Sequence, residues 1–186
     1  MNNQYIYLIF TKTGTWLSRL IGVFSNIKYA HASISFDNSF TRMYSFGRTN
    51  PDNPFSGGFV EENLYEGVYK RSASCECMIY RIEVTAEQYS TLQQLIEQFA
   101  ACKEQLRYNF LGLFGALFNK PLGRKNYYFC SQFVSEVLMK SNIFRYDKSP
   151  ELIKTDELYD IENKEIIYEG FLMKKNPTTL LHAFEG

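Results

Sequence analysis

A thiol, an imidazole and a helix start are the parts of this chain that combine into chemistry. Cys130 follows the aromatic run Tyr127-Tyr-Phe129 and opens residues 130–140, where Phe133, Val134, Val137 and Leu138 recur at helical spacing. A thiol in the first turn of a helix lies near unpaired backbone N–H groups and the positive end of the helix dipole. Both favour the thiolate, which is the nucleophilic form. The same N–H groups are placed to hold the oxyanion that grows when a carbonyl is attacked. A buried cysteine otherwise behaves as a small apolar residue, and the polar Ser131 and Gln132 beside Cys130 argue against that role here. Cys75 and Cys77 sit before a strand pattern and Cys102 lies within a helical one, so these three read as structural.

A cysteine nucleophile needs a base, and near neutral pH histidine is the usual one. The chain has two. His31 starts the strand-like run His31-Ala-Ser-Ile-Ser-Phe-Asp37, in which His31, Ser33, Ser35 and Asp37 share one face and Ala32, Ile34 and Phe36 the other. His182 lies in a polar tail, residues 174–186, and is the weaker choice.

The elements that must hold this pair can be read in order. Residues 4–10 are a strand. Thr13 or Thr15 caps a helix to about Phe24, with Trp16, Leu17, Leu20, Ile21 and Phe24 on one face. Residues 30–37 and 41–47 form the arms of a hairpin with its turn at 37–40. Residues 48–58 carry two prolines and two glycines and read as an irregular loop. Residues 77–84 are a strand, and Thr85-Ala-Glu-Gln88 has the form of a capping box that opens a helix to about Leu106. An apolar stretch, 108–118, ends at Pro121 and Gly123. A short helix is expected near 156–159, with closing strands at 165–168 and 171–173. Strands and helices are partly segregated, which favours an α+β domain over βαβ alternation.

Composition bounds the function. With 186 residues, 45% hydrophobic and 17% aromatic, the chain is expected to be one globular domain, residues 1–186, with a genuine core. Twenty basic residues balance twenty acidic ones, which points to neither a nucleic-acid binder nor a polybasic membrane protein. The charge is uneven, however: residues 105–128 hold Arg107, Lys120, Arg124 and Lys125 and no acid, whereas 147–169 set eight acids against three lysines. These are ordinary solvated faces or the two walls of a cleft. The first residues lack the pattern of a secretory signal, and the longest strongly apolar run, 110–118, is too short to span a bilayer. Four cysteines without paired CxxC spacing and two histidines give little basis for a metal site. The expectation is a cytoplasmic protein with reduced thiols and no cofactor.

Three segments together carry a resemblance: Tyr29-Ala-His-Ala-Ser-Ile-Ser-Phe-Asp37, Met43-Tyr-Ser-Phe-Gly47 and Phe129-Cys-Ser-Gln-Phe-Val134. They resemble the circularly permuted papain-like cysteine amidases and peptidases, relatives of the NlpC-type cell-wall hydrolases, in which the histidine precedes the cysteine. The order of elements matches over roughly residues 4–173. The resemblance implies a permuted papain-like fold, with an antiparallel sheet packed against helices. It also implies a third polar residue, a histidine or carboxylate, on the strand after the histidine strand. Residues 42–47 offer neither. A two-residue turn would set Tyr44 beside His31 and a three-residue turn Ser45, and Ser45 is taken as the third member. Asp37 is a more distant fallback. By the same resemblance Tyr5 or Tyr7 donates to the oxyanion, with core packing as the alternative. Arg48 offers a bidentate grip on a substrate carboxylate or is a solvated loop residue.

The implied activity is a thiol hydrolase acting on an amide bond of a small or cell-wall-type peptide, with Cys130 as nucleophile and His31 as base. Two alternatives stand beside it. Lipid acyltransferases occur among permuted relatives, so residues 110–118 could line an acyl groove in an acyltransferase or thioesterase; a buried helix against the Cys130 helix is the plainer reading. The missing carboxylate also allows a non-catalytic binding domain. Oligomeric state is not encoded in any of these features.

Overall fold

Residues 5–10 form an unbroken apolar run because the strand they belong to lies in the middle of a sheet covered on both sides. The computed structural model describes residues 4–13, 27–50, 56–72 and 75–172. Strand β1 (Gln4–Lys12) sends Ile6, Leu8 and Phe10 into the main core and Tyr7 and Ile9 into a second, smaller one. The other strands are β2 (His31–Ser35), β3 (Met43–Arg48), β4 (Gly57–Glu62), β5 (Glu76–Val84) and β8 (Lys164–Phe171). They form a six-stranded antiparallel sheet in the order β4-β3-β2-β1-β5-β8. Two short strands, β6 (Arg107–Tyr108) and β7 (Tyr127–Tyr128), pair in parallel beside it.

Helices cover the main-core face. The short α1 (Gly67–Arg71) lies on the opposite side, where Tyr69 enters the second core. Helix α2 (Ala86–Ala101) opens with the capping box read from the sequence: Thr85 Oγ1 accepts from Gln88 N–H, and Gln88 Oε1 accepts from Thr85 N–H. It stops before residue 106 and gives way to a 3₁₀ turn at Lys103–Gln105. Helix α3 (Phe110–Leu117) and helix α4 (Cys130–Lys140) follow. Phe133, Val134, Val137 and Leu138 of α4 are fully buried. Phe133 and Phe46 of β3 belong to an aromatic cluster with Phe59, Phe99 and Tyr128, with ring centroids 5.0–6.2 Å apart.

The chain is therefore a mixed α+β fold with its sheet packed against helices, as its pattern of elements predicts. Several local expectations change. The β2–β3 connection is not a tight turn: residues 36–42 loop out so that Phe40 can bury its ring against Tyr7, although this puts Phe40 at φ +53°. Burial of a large aromatic side chain outweighs a left-handed backbone cost of about 1–2 kcal/mol. The expected loop 48–58 is shorter, because Arg48 ends β3 and Gly57 and Gly58 begin β4. Those glycines mark close approach rather than a turn: a Cβ at Gly57 would stand 2.6 Å from Tyr108 Cβ, and one at Gly58 2.8 Å from the Leu106 carbonyl oxygen. The two closing strands merge into β8, and the segment near 156–159 is a 3₁₀ turn, Asp156–Asp160. The helix expected from Thr13 or Thr15 to Phe24, His182 and the tail 174–186 lie outside the described residues.

Candidate functional site

The N-terminus of α4 meets the start of β2. Phe129 is the N-cap of α4 and has no side-chain oxygen to engage the first-turn N–H groups. The backbone N–H groups of Ser131 and of Ala32 in β2 favour the charged form of the Cys130 sulfur. As a thiol, Cys130 points towards the Ala30 carbonyl, 3.8 Å away. The His31 imidazole and the Tyr108 hydroxyl are the side-chain groups that interact with its sulfur electrostatically.

His31 is held from its other side. Its Nε2 lies 3.1 and 3.0 Å from the two carboxylate oxygens of Glu62, which leaves Nδ1 for the thiol. Glu62 also accepts from Ser33 Oγ at 2.7 Å and from the Tyr69 hydroxyl at 2.9 Å. Glu62 is the last residue of β4, two strands from β2, and in register it faces Met43. Its side chain reaches His31 diagonally over Gly47 of β3. A Cβ at Gly47 would stand 3.2 Å from Glu62 Oε1 and 3.6 Å from His31 Cε1. A side chain there would occupy the space through which the two groups meet.

The electrostatics follow from this chain of contacts. Burial by itself would push the Cys130 thiol up. The hydrogen bond and charge of His31 and the two backbone N–H groups outweigh it and bring the thiol below its ordinary value. Burial likewise opposes a charged His31, yet Glu62 and the sulfur raise the imidazole well above its usual range. Glu62 is lowered despite its own burial, because His31, Ser33 and Tyr69 all favour the carboxylate. All three shifts run in the direction that favours a thiolate and an imidazolium backed by a buried carboxylate. Tyr108 is raised well above the phenol range by burial and by the charge of Cys130, so it stays a donor.

The remaining residues singled out from sequence fall elsewhere. Ser45 is buried on β3 and its hydroxyl donates to the Ala32 carbonyl at 2.6 Å, so it braces β3 against β2 and does not orient His31. Tyr44 pairs with Ile34 in register and packs its ring near Phe36 and Phe59. Thr11, not Tyr7, faces His31 across β1 and β2; Tyr7 pairs with Ser35, about 13 Å further along. Tyr5 and Tyr7 line a separate small cleft with Asp37 and Tyr89, and Arg81 lies over the Tyr5 ring. The tyrosine at the sulfur is Tyr108. Arg48, in contrast, lines a cleft of about 710 Å³ together with Glu62, Tyr69, Phe59 and Lys103.

Sequence reasoning missed Glu62 and Tyr108. The third residue expected from the sequence lies on the neighbouring strand, whereas the carboxylate comes from the strand beyond it. Gly47, a glycine inside a strand, was the available signal of a close approach. Among the described residues no group of three or more His, Cys, Asp or Glu side chains could hold a metal ion. No family model matches the chain, and neither a curated protein nor a solved structure shows significant similarity to it.

Proposed function

We propose that the chain is a thiol hydrolase of the permuted papain-like type that cleaves an amide bond in a small peptide. The observation that carries this reading is the contact chain Cys130–His31–Glu62, with Cys130 at the uncapped start of α4. In the proposed reaction the Cys130 thiolate attacks the amide carbonyl, and the carbonyl π electrons move onto oxygen. The α4 N–H groups and the Tyr108 hydroxyl hold that oxyanion. As the tetrahedral intermediate collapses, the C–N bond breaks and the His31 imidazolium gives its proton to the leaving amine. A thioester remains. Neutral His31 then takes a proton from water, the hydroxide adds to the thioester, and the acid departs with return of the thiolate and imidazolium. Of the reacting groups Glu62 meets only His31, as a positioning residue that engages Nε2 and leaves Nδ1 for the sulfur.

Two features bear on the alternatives. The missing carboxylate was the ground for a non-catalytic domain, and Glu62 removes that ground. The cleft that reaches Glu62 is lined by Arg48, Thr49, Lys103 and several carboxylates, though not by Cys130 or His31 themselves, and a substrate that approaches the site from it meets polar groups rather than an acyl groove. Arg48 and Lys103 offer a substrate carboxylate two cations there.

The test is a panel of short peptide amides, esters and thioesters bearing a free carboxylate, assayed with wild type, Cys130→Ala and His31→Ala. Amide turnover by wild type alone, with an acyl adduct on Cys130 seen by intact-mass spectrometry, is the expected result. Turnover of thioesters with amides untouched would move the assignment to a thioesterase. Amide cleavage that survives Cys130→Ala would end it.

A further inference from the structure

The large apolar side chains that stand exposed among the described residues form two groups. Ile166 and Phe171 lie on β8, where Lys164, Glu165 and Glu169 mix both signs of charge. Leu111, Phe118 and Leu122, at 59%, 62% and 47% exposure, lie on α3 and the loop that follows it. Along the chain this second group is flanked by positive charge, since residues 105–128 include Lys120, Arg124 and Lys125 and no acid; from the neighbouring 3₁₀ turn the Glu151 carboxylate comes up to the loop, 3.9 Å from where a Cβ at Gly123 would stand. Lys120 and Lys125 are exposed and form no ion pair among the described residues. The Arg124 guanidinium lies 3.8 Å from the centre of the Tyr127 ring, which holds it at the surface.

The exposure is built into the packing. Helix α3 turns its small residues inwards: a Cβ at Gly112 would stand 2.2 Å from Asn109 Nδ2, and one at Gly115 2.4 Å from the Lys120 carbonyl oxygen. The loop closes back on the helix through that second contact, with Lys120 N–H donating to the Gly115 carbonyl at 2.8 Å. Leu113 and Ala116 join the core, so Leu111 and Phe118 are left facing out, with Leu122 folded over Gly115. The helix rests chiefly on the 3₁₀ turn Pro150–Leu152, which in turn lies against α4.

We propose that α3 and the loop to Lys125 dock on the surface of an anionic lipid bilayer. Leu111, Phe118 and Leu122 enter the boundary between headgroups and acyl chains, while Lys120, Arg124 and Lys125 meet lipid phosphates. The cations select this occupant, because Lys120, Arg124 and Lys125 outweigh Glu151 at the edge of the apolar patch, and a predominantly positive border complements a negative surface. With eight residues α3 lies in the interface and does not cross it. Tyr108 directly precedes the α3 N-cap, Asn109, and lies near enough to Cys130 to feel its charge, so docking turns that end of the candidate site towards the membrane. This goes beyond the amide-hydrolase reading and does not depend on it.

Flotation with extruded vesicles tests the proposal without any turnover assay. Wild type is expected to float with phosphatidylcholine–phosphatidylglycerol vesicles at least about tenfold more strongly than with phosphatidylcholine alone, and to release as salt rises through about 0.5 M. Lys120→Glu with Lys125→Glu should weaken binding at least about 25-fold, since each cation contributes about fivefold. Leu111→Ser, Phe118→Ser and Leu122→Ser together should abolish flotation even at low salt. Should that triple variant not fold, the charge-reversal pair, altered only at exposed positions, still decides. Equal flotation with both vesicle types, no flotation of wild type, or indifference to the charge reversal overturns the proposal. So does a dimer that only the apolar variant dissociates, because the patch would then belong to a second copy. Failure of the hydrolase reading would show in turnover and leave flotation unchanged.

Discussion

Cys130 and the pair Cys75 and Cys77 are equally hidden from solvent, at 1%, 2% and 0% exposure, yet their thiols move in opposite directions. Burial pushes Cys75 up to about 12, helped by the neighbouring Glu76 carboxylate. Cys77 is raised for the same chief reason, with Cys75 adding to it. Cys130 undergoes the same desolvation and still falls below the ordinary thiol value. The difference is the company each keeps. Cys75 and Cys77 face the apolar second core with Ile9, Phe40 and Leu64, whereas Cys130 has an imidazolium and backbone N–H groups within reach. A buried thiol is inert or reactive according to which charges are buried with it.

The largest expected effect comes from erasing that difference. His31→Ala leaves Cys130 buried without a cation, so its thiol should rise into the range of Cys75, and amide turnover should fall about 10²–10⁴-fold. The check is iodoacetamide labelling across pH, resolved by peptide mass spectrometry. Wild-type Cys130 should label on the acid side of 9.0, its rate falling only as pH drops through its lowered pKa. In His31→Ala that acid-side labelling should vanish, while the slow labelling of Cys75 and Cys77 stays as it was. An unchanged Cys130 profile in His31→Ala would remove the dyad. Next in size is Tyr108→Phe, which deletes one oxyanion donor and should lower kcat about 10²–10³-fold with little change in KM. Loss confined to KM would make Tyr108 a packing residue.

Glu62→Gln should act more mildly and reveal itself through pH. Without the carboxylate the imidazole falls back towards 6.5 and the Cys130 thiol rises, and each unit of rise cuts the thiolate fraction about tenfold below its pKa. The same substitution has a stability signature. A raised histidine contributes fully below 6.5 and loses its contribution as pH climbs through its folded value. A lowered glutamate contributes fully above 4.5 and loses its contribution as pH falls through its folded value. The difference in unfolding free energy between wild type and Glu62→Gln should therefore be greatest between about pH 4.5 and 6.5. A difference that is flat with pH in denaturant titrations would count against the ion pair.

How much of this was legible in the sequence depended on whether the signal was local. The Cys130 helix, the Thr85 capping box and the α+β pattern are written in spacing and in cap chemistry and stand as read, whereas the two strands around His31 form but are joined by a longer loop than the turn expected. The contents of the site depend on register. Thr11 faces His31 because β1 and β2 pair with that offset, and no composition fixes the offset in advance. Residues 57–62 were missed as a strand because Gly57 and Gly58 read as loop. Their missing side chains instead admit Tyr108 and the Leu106 carbonyl to the edge of β4. Only β4 carries Glu62 to the strand edge from which it reaches His31. Tyr108 was hidden for a similar reason: a two-residue parallel pairing with β7, which brings it to the thiol, has no sequence period.

Gly47 gives the finest test of the contrast between the two buried environments, because it lies between His31 and Glu62 without touching the thiol chemistry itself. A methyl at Gly47 must share space with Glu62 Oε1 at 3.2 Å and Val60 Cγ2 at 3.3 Å, so those groups must give by a few tenths of an ångström. Gly47 is not in the left-handed region, and in a strand alanine is favoured over glycine by about 0.5–1 kcal/mol. The crowding and the backbone gain should nearly cancel. Gly47→Ala is then expected to unfold within about 1 kcal/mol of wild type while losing a few-fold in turnover, with its Cys130 labelling profile moved slightly towards that of Cys75. Gly58→Ala supplies the control from the neighbouring strand. There the methyl would meet the Leu106 carbonyl at 2.8 Å, a backbone atom that cannot swing aside, so stability rather than the thiol profile should suffer. If Gly47→Ala instead lost stability and left the Cys130 profile alone, Gly47 would be a packing glycine like Gly58, and the opening between His31 and Glu62 would have no bearing on the thiol.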